Sequence, residues 1–195
     1  MLLFETARLY VRQLRPADAD ALFAIFDNPA VTRWAGDGTT LTHAQCVEWI
    51  AVSQHNYATR GFGASAVVLR ANHALVGVCG IVYGPGCDEP EIIYMFDQPW
   101  WGQGLAGEVV PAMLGYGLAH CGLPRVAATI APENVASRRV AERAGMRFDR
   151  QAIDPDDGLP ILVYYFEPAG PESAATGAAL LCAPASPAIS SAAPA

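Results

Sequence analysis

Long apolar runs are missing from this chain of 195 residues. None approaches the roughly 20 consecutive apolar side chains that a membrane span requires, so a membrane partner is not expected. The opening Met1-Leu2-Leu3-Phe4-Glu5 has neither the basic region nor the long apolar stretch of a secretory signal. The five cysteines (46, 79, 87, 121 and 182) are odd in number, scattered and never arranged as C-x-x-C. Reduced thiols in a cytoplasmic protein are the simplest account. The four histidines (43, 55, 73 and 120) show no metal-ligand spacing, and no metal site is expected. Basic residues are outnumbered 12 to 19 by acidic ones, a net charge of -7. That balance argues against nucleic acid as the main partner.

The length suits one domain with an appendage. Residues 1–167 are read as the domain, which is long enough to bury a proper core. From Pro168 to Ala195 the chain turns to Ala, Pro, Ser and Gly, with Glu172 as its only charge. Such a segment has few large side chains to bury and is expected to be a disordered tail.

Within the domain, Ala7–Leu14 alternates and reads as a first strand, and a helix is expected from Pro16 through about Asp27. Asn28–Leu41 reads as a loop. Thr42-x-x-Gln45 is a capping box for a second helix to about Arg60. Phe62–Arg70 and Leu75–Tyr83 form a hairpin across Asn72-His73, and Glu91–Asp97 is a fourth strand. After a glycine-rich turn, Val109–His120 is helical, with Pro111 in its interior and Gly122 at its end. A fifth strand (Arg125–Ile130), a helix from Asn134 and strands near 147–151 and 161–167 complete the order.

The most informative stretch is the turn itself, Gln98-Pro99-Trp100-Trp101-Gly102-Gln103-Gly104-Leu105-Ala106-Gly107-Glu108. A strand that passes through glycines into a helix N-terminus presents unpaired N–H groups and the positive end of the helix dipole. A phosphate cradle is the physical expectation. A P-loop would close the glycines with Lys-Ser/Thr, which Leu105-Ala106-Gly107-Glu108 does not supply. A dinucleotide fingerprint fits Gly102-x-Gly104-x-x-Gly107 by letter. It wants an early position and an acid ending a strand about twenty residues on, where Glu133 instead opens a helix. A turn that merely redirects the chain is the plain alternative.

A second motif, Pro132-Glu-Asn-Val-Ala-Ser-Arg-Arg-Val-Ala-Glu-Arg-Ala-Gly-Met-Arg-Phe148, follows at a fixed distance. Asn134 suits an N-cap, Ala136, Val140 and Ala144 make an apolar stripe, and Gly145 ends the helix. The two motifs in this order resemble the GCN5-related N-acetyltransferases, in particular the ribosomal-protein N-acetyltransferase branch. That branch carries Trp-Gly-x-Gly-x-Ala, as at 101–106, and P-E-N-x-A-S-x-x-V-x-E-K-x-G-F. The likeness extends more weakly over about residues 4–167.

The resemblance implies an α/β (α+β) acyl-CoA N-acyltransferase fold: a mixed sheet of about seven strands flanked by four helices, its fourth and fifth strands splayed. It implies acetyl-CoA as the acetyl donor and an amine-bearing acceptor, a protein N-terminus or a small molecule. Pantetheine would pair with the backbone at Met95 and Phe96, and the pyrophosphate would meet the amides of Gln103, Gly104, Leu105, Ala106 and Gly107. Gly107 stands where the branch has Thr. A fourth-strand N–H would polarise the thioester carbonyl.

Glu91 matches the Glu of the branch's E-[IL]-G-Y segment, with Ile93 in place of its Gly, and is the first candidate for the base that accepts the amine proton. A structural role, starting the strand and pairing with an Arg, is the alternative. Glu108, in the first turn of a helix, reads as a complement to its dipole. The helix tyrosine that protonates the leaving thiol in many acetyltransferases would fall at Ala141. Ser137, one turn earlier, is the replacement, unless it hydrogen-bonds its own backbone. Asn134 would serve as cap and cofactor contact. The acceptor would lie between the loop around Arg33, Trp34 and Asp37 and the loop Asp154–Gly158, with Trp34 and Asp156 as substrate contacts. Apolar loops at Trp34 and Trp100 would suit a homodimer. A non-catalytic acyl-CoA-binding module that regulates a partner is the rival from another class.

Overall fold

The computed structural model describes residues 1–84, 89–154 and 158–168. The tail beyond 168 and Asp156 lie outside the described residues. Eight strands form one mixed sheet in the order β1-β2-β3-β4-β5-β6-β8-β7. They are β1 (Leu2–Glu5), β2 (Leu9–Gln13), β3 (Ala64–Leu69), β4 (Leu75–Tyr83), β5 (Pro90–Phe96), β6 (Val126–Ile130), β7 (Arg147–Ile153) and β8 (Pro160–Phe166). The helices are α1 (Ala19–Phe26), α2 (Pro29–Thr32), α3 (His43–Arg60), α4 (Leu105–Cys121) and α5 (Val135–Arg143).

The sheet is covered on both faces because strand side chains alternate. Val67 and Leu69 of β3 join the core with Val109, Val110 and Met113 of α4 and Ala141 of α5. Ala66 and Val68 of the same strand face Leu22 and Phe26 of α1 and Cys46 and Ile50 of α3. The expected layout is therefore present, with differences at element ends. β1 pairs antiparallel with β2 and adds a strand that the sequence pattern did not signal. The expected loop 28–41 begins with a one-turn helix, which Asn28 caps by accepting from the Ala30 N–H at 3.0 Å.

The first expected helix opens instead as a 3-10 turn over Pro16–Asp18. Asp18 explains that start. Its carboxylate accepts from the Arg15 N–H at 2.7 Å and from both terminal nitrogens of Arg12 at 2.7 Å each. The Thr42–Gln45 capping box and the Asn134 cap, whose Oδ1 accepts from the Ser137 N–H at 3.1 Å, are as expected. The fourth helix begins at Leu105 rather than Val109, so Leu105, Ala106, Gly107 and Glu108 form its first turn.

The feature that positions a site is the junction of β5 with its two neighbours. β4 and β5 keep antiparallel register over seven residue pairs, from Gly77 opposite Phe96 to Tyr83 opposite Pro90. β5 and β6 run parallel and share a single register pair, Glu91 with Ala127. Past that pair the strands part. The expected splay between the fourth and fifth strands of the sequence-based reading is the gap between β5 and β6.

Candidate functional site

The gap opens beside the glycine turn. Gly102 and Gly104 hold φ of +72° and +76°, the left-handed region that glycine alone enters cheaply. Gly104 is also the N-cap of α4. A Cβ at Gly102 or Gly107 would meet nothing within 4 Å, and one at Gly104 would meet only Arg8 Nη2 at 3.8 Å. The first-turn amides of Leu105, Ala106 and Gly107 have no intrahelical acceptor. Around them, no side chain crowds the glycine main chain. Residues of this kind fit the pyrophosphate of acetyl-CoA.

Contacts from far away in the sequence brace this turn. Arg8 Nη1 donates to the Gln103 carbonyl at 2.9 Å, and Arg8 Nε and the Arg8 N–H each donate to Glu108 at 2.7 Å. The Thr6 hydroxyl donates to Glu108 at 2.6 Å. Burial pushes the Glu108 carboxyl up, but the bonds from Thr6 and Arg8 outweigh it and hold the group below the usual carboxylate range. Glu108 thus pins the β1–β2 corner to the start of α4. The Gln103 amide donates to the Pro99 carbonyl at 2.9 Å. With its carbonyl on Arg8, Gln103 is fixed at both ends.

The main chain of β5 divides between its two edges. The Asp97 N–H donates to the Val76 carbonyl at 2.9 Å, so odd-numbered residues face β4. A Cβ built on Gly77 would stand 2.3 Å from the Met95 carbonyl oxygen, which confirms where that oxygen points. Alternation then turns the main-chain groups of Ile92, Tyr94 and Phe96 toward the β6 edge, Ile92 beside the Glu91–Ala127 pair and Tyr94 and Phe96 along the gap. The expectation for Met95 is corrected here: its main chain belongs to the β4 ladder, because strand periodicity fixes side-chain faces and only register fixes main-chain edges. Phe96 does face the gap, and its carbonyl accepts from Trp101 Nε1 at 2.7 Å. Of the two adjacent tryptophans, Trp101 is the exposed one, while Trp100 packs on the core.

Two polar pairs leave β5 from opposite faces. Glu91, half-buried, accepts from the Thr129 N–H at 2.9 Å and from the Thr129 hydroxyl on β6. Burial pushes the Glu91 carboxyl above its ordinary value; the Thr129 bonds oppose this and the charge of nearby Asp154 adds to it. Among the described residues Glu91 takes no arginine partner, the one expected of the alternative structural role. Arg125 pairs with Glu89 instead.

On the other face, the Tyr94 hydroxyl lies 2.6 Å from Ser137 Oγ and 3.1 Å from the Ser137 carbonyl oxygen. Burial raises the Tyr94 phenol to about 12, against the opposing bond from Ser137. Ser137 thus reaches across to β5, as well as being held at its amide by Asn134. Tyr94 is the residue that sequence reasoning passed over; the one available signal was its place in the Glu91-Ile-Ile-Tyr94 segment.

The segments expected to flank the acceptor are held by local contacts. Arg33 sits over the Trp34 ring, 4.6 Å from its centroid, and that ring is exposed. Asp37 turns inward on its own loop, accepting from the Thr39 N–H at 3.0 Å and hydroxyl at 2.6 Å. Asn28 Nδ2 donates to Gln98 Oε1 at 2.9 Å, which ties the start of this segment to the end of β5. On the β7–β8 side, Asp154 comes close enough to Glu91 to influence it electrostatically.

Comparison with known proteins matches this arrangement to a family. The acetyltransferase (GNAT) domain matches residues 8–147. An uncharacterized N-acetyltransferase of Bacillus subtilis, YoaA, is 30% identical over 146 residues, 74% of this chain and 82% of YoaA. Among solved structures, an acetyltransferase from Agrobacterium tumefaciens superposes with a TM-score of 0.73 at 27% identity, covering 84% of this chain and 93% of that one. RimL, a ribosomal L7/L12 alpha-N-protein acetyltransferase solved with coenzyme A, shares the fold at a TM-score of 0.71 and 16% identity, covering 86% and 98%. The chain belongs to the GNAT acetyltransferase family and is an N-acetyltransferase.

Proposed function

We propose that this enzyme transfers the acetyl group of acetyl-CoA to a primary amine, a protein N-terminus or a small-molecule amine, by direct attack on the thioester. The observation that carries the reading is the parting of β5 from β6 after one register pair, beside a glycine turn that feeds the N-terminus of α4. The gap-facing amides of β5 suit a pantetheine arm and a polarised carbonyl, and the first-turn amides of α4 suit the pyrophosphate.

In this reading the amine nitrogen forms a bond to the carbonyl carbon as the carbon–sulfur bond breaks. The amine proton passes to the Glu91 carboxylate, directly or through water. The departing thiolate is intrinsically stable, with a pKa near 8.5 by analogy with cysteine, and a hydrogen bond from Ser137 suffices to assist it. Asn134 holds the first turn of α5 in place for that contact. Trp34, with the β7–β8 end near Asp154, would receive the acceptor. A cytoplasmic setting agrees with the free thiols of Cys46, Cys79 and Cys121.

The test is purified protein with acetyl-CoA and a panel of amines, with free thiol followed over time. Amine-dependent thiol release is expected, with Glu91→Gln strongly impaired. Tight acetyl-CoA binding without amine-dependent release would contradict the reading and favour a binding module. None of the 12 basic residues is lysine, so acetyl label on the chain's own amines has only the N-terminus to occupy, and self-labelling will not be mistaken for turnover.

A further inference from the structure

The Tyr94 phenol carries one proton and has two acceptors on the same residue, Ser137 Oγ at 2.6 Å and the Ser137 carbonyl oxygen at 3.1 Å. The carbonyl oxygen can only accept. If Tyr94 donated to it, the serine hydroxyl would spend its own proton on the phenol oxygen. If Tyr94 donates to Oγ, the serine proton is released to a third partner. The contact to Oγ fixes no direction by its length, but the Ser137 carbonyl lies inside α5, where the helix ladder already supplies it a donor, so Oγ is the acceptor in need of one. Both ends of the pair are held: Tyr94 packs against the core that α4 and α5 share, and the Ser137 amide is tied to Asn134.

We propose that Tyr94 is a positioning residue for acyl transfer: its phenol donates to Ser137 Oγ and so aims the serine proton at the departing sulfur. The proposal rests on the function proposed above. It takes no proton from Tyr94 during turnover, because the phenol remains protonated across the working pH range and Ser137 supplies a hydrogen bond rather than a net proton. The thiolate is protonated from solvent after release, and the amine proton leaves by way of Glu91. Atoms and charge therefore balance with Tyr94 unchanged.

The experiment is a double-mutant cycle on the full chain with Tyr94→Phe, Ser137→Ala and the pair. Steady-state kcat and KM for acetyl-CoA are measured for each, with thermal unfolding midpoints as the check on folding. Ser137→Ala is expected to lower kcat about tenfold, and Tyr94→Phe by a similar or smaller factor, with KM for acetyl-CoA unchanged in both. The double variant is expected to be no slower than Ser137→Ala alone, because Tyr94 acts only through that hydroxyl. A merely structural tyrosine would instead multiply its loss onto that of Ser137→Ala. Should Tyr94→Phe fold poorly, Ser137→Ala still decides: an unchanged kcat there overturns the proposal. Turnover by wild type beside an equally fast Tyr94→Phe overturns the proposal alone. A wild type that releases no thiol with any amine overturns the function itself.

Discussion

Glu91 with Thr129 and Tyr94 with Ser137 are similar pairs on opposite faces of one strand, built on acids of different strength. Each ties β5 to an element across the gap, β6 in one case and α5 in the other. Each places an acidic proton in a half-buried setting, and burial raises both acids. A carboxyl raised from its usual range moves toward neutral pH, where it can take and release a proton. A phenol raised to about 12 moves away from it and stays protonated there. Burial alone therefore does not make a base. What matters is which side of neutrality the group started from.

The largest expected effect sharpens that contrast on its titrating side. Glu91→Gln keeps the shape and the acceptor oxygen for Thr129 but cannot take a proton. Its kcat/KM at pH 8 is expected to fall about 10²–10³-fold with a normal circular dichroism spectrum. A loss no larger than that of Tyr94→Phe would erase the difference between the two faces.

Asp18 tests the rule by inversion, since it is a buried carboxylate with a cation. Burial pushes it up, but the Arg12 guanidinium and the Arg15 amide hold it below the usual range. Its contribution to stability is full above the unfolded carboxylate value of about 3.9 and is lost as pH falls through the lower folded value. Asp18→Asn leaves Arg12 nearly buried without its partner, and is expected to cost about 3 kcal/mol in urea unfolding at pH 7. Activity measured at low temperature should remain.

Much of this layout is legible in the sequence, and the failures share a cause. The Thr42–Gln45 box, the Asn134 cap and the glycine turn are local signals and fall where their chemistry places them. The extra strand β1 is four residues long, too short for alternation to declare itself. The first turn of α4 was hidden because Gly104 and Gly107 read as loop, although a left-handed glycine is also a way to begin a helix. Contacts that build the site span large separations: Tyr94 meets Ser137 43 residues on, and Arg8 meets Glu108 across 100. Side-chain periodicity names the face a residue occupies, never the partner waiting there. Met95 fails for the complementary reason, since its main-chain edge is set by pairing with β4.

The smallest expected effect separates Glu91 from its local support. Thr129→Val removes the hydroxyl donor and keeps the backbone one, so the carboxyl is expected to rise further. The acid limb of kcat/KM should move upward while kcat on the alkaline plateau stays within about twofold. A limb that does not move would mean that Thr129 does not tune the base.

The role of Glu91 as base is tested most directly by the pH dependence of kcat/KM for wild type, Ser137→Ala and Glu91→Gln. Wild type is expected to show an acid limb above the usual carboxylate range. The same limb is expected in Ser137→Ala at a lower rate, and none in Glu91→Gln. A limb that survives unchanged in Glu91→Gln would rule Glu91 out as the base.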